Sequence, residues 1–291
     1  KEGKVWVVDL DLEKFFDQVN HDILMSKIAK RIDDKRVLKL IRSYLRVGMM
    51  QDGVSTQRQA GTPQGSPLSP LLSNIMLDEL DKELEKRGHS FCRYADDCNI
   101  YVESKRAGER VMKSISEYLE RRLKLKVNTE KSCVSTAEKR KFLGYRLRNN
   151  GKATVAPESI QRLKDKVRVL TQRNRGVNFM KVIAELNQAL RGWLNYFRLN
   201  ENSSTWDEID RWIRKKLRCY RLKQRKRARS TTRWLVRLGV QEDEARTIST
   251  SGKGWWRLAQ TKALHQAMNK KWFKHQGLFS LEDNWKLWVK A

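Results

Sequence analysis

The run Val5-Trp6-Val7-Val8-Asp9-Leu10-Asp11 constrains this chain more than any other stretch. Its apolar, mostly β-branched residues predict a buried strand over residues 5–10, ending in acids that the strand delivers to its own end. A second acidic pair, Asp96-Asp97, follows about 85 residues later. It stands between two short strand-like runs, residues 91–94 and 99–102, so the pattern predicts a β-hairpin with acids at its tip. Two acid-bearing strand ends in one chain predict a sheet that gathers carboxylates.

The intervening residues supply the cover for such a sheet. Asn20 is a plausible N-cap for a helix to about residue 31, and a second helix fits residues 34–45 before Gly48 stops it. Residues 49–59, turning at Asp52-Gly53, predict a hairpin. Gly61-Thr62-Pro63-Gln64-Gly65-Ser66-Pro67 is a loop, because Gly and Pro punctuate it throughout. The helix after it, over residues 69–87, puts Leu72, Ile75, Met76, Leu80 and Leu84 on one face. A helix over 106–123 and a strand over 141–147 with a turn at Asn149-Asn150-Gly151 complete the mixed part. Beyond Pro157 only helices are predicted: 158–172, 178–197, and 206 to about 238 with breaks. Mixed α/β followed by all-α implies two domains, divided near residues 150–157.

Charge separates the same two parts. The chain carries 62 Lys and Arg against 34 Asp and Glu, a formal +28. Residues 1–140 hold 27 basic and 22 acidic side chains and the remainder 35 and 12, so the excess lies in the helical part and implies a polyanionic partner. Residues 211–229 hold 11 basic residues of 19 and no acid: Arg211, Arg214, Lys215, Lys216, Arg218, Arg221, Lys223, Arg225, Lys226, Arg227 and Arg229. Trp212 and Tyr220 among them offer stacking surfaces for bases. No apolar run approaches the roughly 20 residues of a membrane span. Cys92, Cys98, Cys133 and Cys219 lack CxxC spacing, which argues for reduced thiols in a cytoplasmic setting and against zinc.

Clustered carboxylates suit Mg²⁺, a hard cation that takes oxygen ligands, and two such ions support phosphoryl transfer. At this point the motifs carry a resemblance. Val8-Asp9-Leu10-Asp11-Leu12-Glu13-Lys14-Phe15-Phe16-Asp17 resembles the first catalytic motif of reverse transcriptases, and Tyr94-Ala95-Asp96-Asp97 resembles their Y-x-D-D box. Gly61 to Pro70 is similar to the family's P-Q-G loop, and Leu125 to Lys131 and Phe142-Leu143-Gly144-Tyr145 follow in the family's order. Leu186-Asn187-Gln188-Ala189-Leu190-Arg191-Gly192-Trp193-Leu194-Asn195-Tyr196-Phe197 resembles the signature of the branch encoded by group II introns, the compact IIC type most of all.

The resemblance implies a right-hand polymerase palm over residues 1–152, a helical thumb and maturase (X) region over 153–240, and a basic helical segment over 241–291. It implies Asp11, Asp96 and Asp97 as ligands of two Mg²⁺ ions, with the Leu12 carbonyl completing the shell. Phe16 becomes the ring beneath the incoming sugar, selecting dNTP over rNTP, while Phe15 packs inside. Gln64 and Gly65 approach the template or nucleotide, Lys131 protonates the departing pyrophosphate, and Leu143, Gly144 and Tyr145 form the primer grip. Periodicity alone turns Leu186, Leu190, Trp193 and Phe197 inward and lets Gly192 admit a close neighbour.

The expected activity is RNA-directed DNA synthesis from an RNA template and DNA primer, with intron RNA and target DNA as further partners and no membrane. The family's fingers segments are expected ahead of Lys1, in a longer protein. One alternative is an RNA-binding splicing cofactor in which synthesis is secondary. Another is a reverse transcriptase of a retron, diversity-generating or defence system.

Overall fold

The computed structural model describes residues 3–47, 49–51, 54–56, 60–63, 65–148 and 150–290. The chain divides into two compact units, Lys1–Phe142 with Leu147–Gly151, and Leu143–Arg146 with Lys152–Ala291.

In the first unit the acid-bearing strand β1 (Trp6–Leu10) lies inside an antiparallel sheet. Its neighbours are β5 (Asp97–Val102), which continues to β4 (Ser90–Tyr94), and on the other side β6 (Cys133–Thr136), giving the order β4-β5-β1-β6. Val7, Val8 and Leu10 are all buried, as an inner strand requires. One face is closed by α5 (Lys105–Tyr118), which approaches so near that a Cβ at Gly108 would stand 2.5 Å from Val134 Cγ1. Strand β6 was not foreseen: its four residues, Cys-Val-Ser-Thr, are all half-buried and show no alternation, so only pairing with β1 makes them a strand.

The helices on either side obey local chemistry. After the single turn α1 (Phe15–Gln18), Asn20 Oδ1 accepts from the amides of Asp22 and Ile23 and starts α2 (His21–Ala29); Asp34 does the same for α3 (Lys35–Leu45). Helix α4 (Leu68–Lys86) buries Leu72, Met76, Leu80 and Leu84 and half-buries Ile75. The expected hairpin is the pair β2 (Met49–Gln51) and β3 (Val54–Thr56); its turn residues Asp52-Gly53 lie outside the described residues. Helix α5 ends at Tyr118 rather than 123, because residues Leu119–Leu123 widen into a π-turn that closes at Lys124 with φ +55°.

The second unit opens on a ribbon of β7 (Tyr145–Leu147) and β8 (Ala153–Val155). Strand β7 begins four residues later than expected, since Leu143 and Gly144 have φ +51° and +80°, outside the strand region. Helices α6 (Pro157–Leu170), α7 (Phe179–Tyr196), α8 (Ser203–Gln224) and α9 (Ala228–Arg237) follow, the last two separated at residues 225–227. The basic C-terminal segment, described over residues 241–290, shares the core of this unit. Its helices α10 (Glu242–Thr250), α11 (Trp255–Leu258), α12 (Lys262–Ala267), α13 (Lys270–His275) and α14 (Leu281–Lys290) place Ile248, Leu264, Met268, Phe273 and Leu281 in one cluster with Leu186, Leu190 and Trp206.

Polar residues of α7 and α8 hold that segment in place. The Asn187 amide donates to Gly277 O at 2.7 Å and accepts from Phe279 N at 2.8 Å. Arg191 stacks on Phe279. Asp210, which is buried, accepts from Ser280 Oγ, Leu281 N and Glu282 N, so it caps α14 from another helix. Gly192 corrects an expectation: open space surrounds its Cβ position, so it admits no close neighbour.

Candidate active site

Sheet register assembles the acids. Strands β1 and β5 pair Asp9 with Asn99 and Leu10 with Cys98, so Asp11, one step beyond, stands at the position facing Asp97. Side chains alternate along a strand, which puts Asp9 and Asp11 on one face. The hairpin tip is tighter than expected: Tyr94 pairs with Asp97, leaving Ala95-Asp96 as the whole turn, with Ala95 at φ +55°. A non-glycine residue there costs about 1 kcal/mol or more. Asp96 thus projects from a strained two-residue turn beside the Asp11–Asp97 level.

The backbone of Asp11 is fixed by a partner that the sequence did not single out. Its amide donates to Ser132 Oγ at 2.9 Å, and its carbonyl accepts from Asn128 N at 2.9 Å. Leu12 bridges Val127, and the flanking bonds, Asn128 N to Asp11 O and Glu13 N to Lys126 O, are those of a pair whose own amide and carbonyl face away from each other. The Leu12 carbonyl is therefore turned away from Val127. Asn128 Oδ1 accepts from the amides of Glu130 and Lys131, a turn that carries Lys131 Nζ to 4.0 Å from Asp11 Oδ2.

Electrostatics mark this rim as short of positive charge. Burial, then repulsion by Asp96 and Asp11, raises the Asp97 carboxyl above its ordinary pKa, and Lys131 offsets only part of this. Asp9 is raised chiefly by burial; Arg140, 3.5 Å away, opposes that, while Asp97 and Asp11 add to it. Among the described residues no three His, Cys, Asp or Glu side chains converge closely enough to hold a metal ion. The donors available are hard oxygens in a mutually repelling group, which is chemistry that a divalent cation relieves and a neutral ligand does not.

Phe15 is buried, and Phe16 is half-buried with its ring edge-on to Phe15 at 5.4 Å. The P-Q-G loop is stapled to the segment that carries Phe16. Thr62 N donates to Phe16 O, Gly61 N donates to Val19 O, and the buried His21 ring bonds Gly61 O at 2.7 Å. A Cβ at Gly61, where φ is +86°, would meet Phe16 O at 2.7 Å. Gly65 is exposed with φ +81°, and Gln64 lies outside the described residues.

In the second unit Leu143, Gly144 and Tyr145 pack on α7. Gly144 leaves no room for a side chain beside Ser159 and Phe197, Tyr145 donates its hydroxyl to Tyr196 O, and Tyr196 donates to Leu143 O. An open cavity of about 540 Å³ there has Trp193, Tyr196 and Phe197 as aromatic lining and Arg162 and Lys166 as its cations.

The basic stretch divides by the face of α8 and α9. Arg211, Lys223, Lys226, Arg227 and Arg229 are exposed, whereas Arg214, Lys215, Lys216, Arg221 and Arg225 are half-buried. Lys215 and Lys216 lie 4.7 Å from the Trp256 ring centre; Lys164, Arg168 and Lys216 surround Trp212; Arg221 and Arg225 stack on Trp234. Two expectations are corrected. Arg218 is buried, donates to Met268 O and has its pKa lowered to about 10 by desolvation, so it braces the fold. Tyr220 is buried with its hydroxyl on Val177 O, so it offers no surface to a base.

The family pattern described as reverse transcriptase (RNA-dependent DNA polymerase) matches residues 1–147. The chain belongs to the reverse transcriptase family. A second pattern, the group II intron maturase-specific domain, matches residues 160–239. Protein YkfC of Escherichia coli is 32% identical over 177 residues, 49% of this chain and 46% of that protein. The group II intron-encoded protein LtrA of Lactococcus lactis is 33% identical over 137 residues, 42% of this chain and 23% of that protein. The chain therefore spans less than half the length of these curated relatives. Among solved structures, apo telomerase from Candida tropicalis aligns with a TM-score of 0.45 at 14% identity, over 94% of this chain and 51% of that one.

Proposed function

We propose that this reverse transcriptase copies RNA into DNA by two-metal nucleotidyl transfer and also binds its intron RNA as a splicing maturase. The observation that carries the first role is the register that sets Asp11 at the level of Asp97 with Asp96 on the adjoining turn. Asp11, Asp96, Asp97 and the Leu12 carbonyl are the oxygens that would hold two Mg²⁺ ions together with nucleotide phosphates and water, since Mg²⁺ is taken up by one or two carboxylates plus substrate oxygens rather than by an all-protein cage. When bound, such ions activate the primer hydroxyl and offset charge on the leaving pyrophosphate. The chain's own groups do the rest. Phe16 excludes a 2′-hydroxyl, Gln64 and Gly65 bring backbone to the nucleotide, and Lys131, held next to Asp11, supplies a proton to the leaving group. Leu143, Gly144 and Tyr145 seat the primer.

The maturase role rests on the cation-rich surface of α8 with Lys164 and Arg168, whose charges are steadied on tryptophan faces and suit RNA phosphates. Target DNA meets the same phosphate chemistry. The test is RNA-templated primer extension with dNTPs and Mg²⁺, comparing the parent with Asp96→Asn. Extension lost only in the variant supports the two-metal reading. No extension by the parent in its full-length protein sinks it and leaves the RNA-binding role, for which intron splicing is the readout.

A further inference from the structure

Arg93 stands two residues before the strained turn and belongs to none of the roles above. Its side chain is 9% exposed. The guanidinium forks onto the carboxylate of Asp81, with Nε at 2.6 Å from Oδ1 and Nη2 on Oδ2. The remaining nitrogen, Nη1, donates to Ala95 O at 2.8 Å and to Asn74 Oδ1 at 3.2 Å. Asp81 and Asn74 both lie on α4, so one side chain ties a buried-face helix to the carbonyl of the residue held at φ +55°.

We infer that Arg93 is a positioning residue: the Asp81–Arg93–Ala95 clamp holds the two-residue turn in its strained form and so aims Asp96 at the metal-binding rim. A two-residue hairpin with alanine at positive φ has an easier backbone conformation open to it, and a hydrogen bond from a fixed, charged fork to the turn carbonyl opposes that relaxation. Lysine keeps the charge but cannot form the fork, so Arg93→Lys separates geometry from electrostatics. The inference rests on the polymerase reading for its catalytic consequence, though not for its structural content.

The experiment uses the full-length protein, Arg93→Lys and Asp81→Asn, each assayed well below its own Tm. Primer extension should show kcat lowered by about tenfold or more, with KM for dNTP within about twofold, because nucleotide contacts are untouched. Mn²⁺ binding followed by electron paramagnetic resonance should weaken by about tenfold in the same variants. Ala95→Gly added to Arg93→Lys should recover part of both losses, since glycine accepts φ +55° without strain; no recovery overturns the claim that the clamp works against strain. Parental kcat and parental Mn²⁺ affinity in Arg93→Lys overturn the inference outright. If the parent itself extends no primer, the polymerase reading has failed, and Mn²⁺ affinity alone decides the clamp. Should Arg93→Lys fail to fold, Asp81→Asn, which keeps the shape and removes the charge, carries the test.

Discussion

The two units use charge in opposite ways. In the first, acids of one sign are gathered at a sheet rim by hydrogen-bond register, and the cost is visible in the raised pKa values of Asp97 and Asp9. In the second, cations are spread over helix faces and steadied by tryptophan rings, with Lys215 and Lys216 on Trp256 and Arg225 on Trp234. A backbone ladder fixes positions tightly, which chemistry at one atom demands. Side chains lying on aromatic faces keep some freedom, and a polyanion with many phosphates tolerates that.

The comparison breaks most sharply at the acids. Asp96→Asn should lower primer extension by about a thousandfold or more while RNA affinity stays within about twofold, measured by extension and by filter binding. The double variant Lys215→Ala, Lys216→Ala should do the reverse. RNA affinity should fall about tenfold, the slope of log affinity against log salt should shrink by about one to two, and a short preannealed primer at saturation should still be extended at the parental rate.

A smaller effect tests what shapes the helical unit. Asp210→Ala leaves Leu281 N, Glu282 N and Ser280 Oγ without their acceptor, and should cost roughly 2 kcal/mol, a fall in Tm of about 4–8 °C. Extension well below the melt should be retained.

The smallest effect has the opposite sign. Asp97 is raised in the folded protein, so the folded state binds its proton more tightly than the unfolded chain does. Stability is therefore lost as pH rises from the unfolded value of 3.8 through the folded one. In metal-free buffer at pH 7, Asp97→Asn should raise Tm by about a degree or two after solvent screening, and the advantage should vanish below that window. A lower Tm for Asp97→Asn at pH 7 would remove the picture of an uncompensated acid.

Much of the first unit was legible because its signals are local. An apolar β-branched run, side-chain caps at Asn20 and Asp34, and the spacing of Leu72, Met76, Leu80 and Leu84 each depend on neighbours in sequence. The acids Asp11, Asp96 and Asp97 stood out for the same reason. Ser132 and Arg93 did not, because each acts through a bond to a group whose position depends on the fold: Ser132 reaches Asp11 across 121 residues of chain, and Arg93 reaches back to Asp81 on another element. A serine after lysine or an arginine in a strand carries no local mark of such a duty. Arg218 and Tyr220 were misread for the converse reason, since composition reports charge density along the chain and not which helix face turns inward.

By itself the sequence determined the strands that carry acids, the helices that cover them, the basic character of the second half and the family whose motifs it bears. Tertiary structure alone decided that Asp11 stands level with Asp97, that Ala95 is held at positive φ, that residues 241–291 complete the helical core, and which cations face outward. The physical reason is one of range. Propensity, capping and periodicity act over a few residues, whereas register, burial and the partner of a charged side chain are settled only when distant segments compete for the same space.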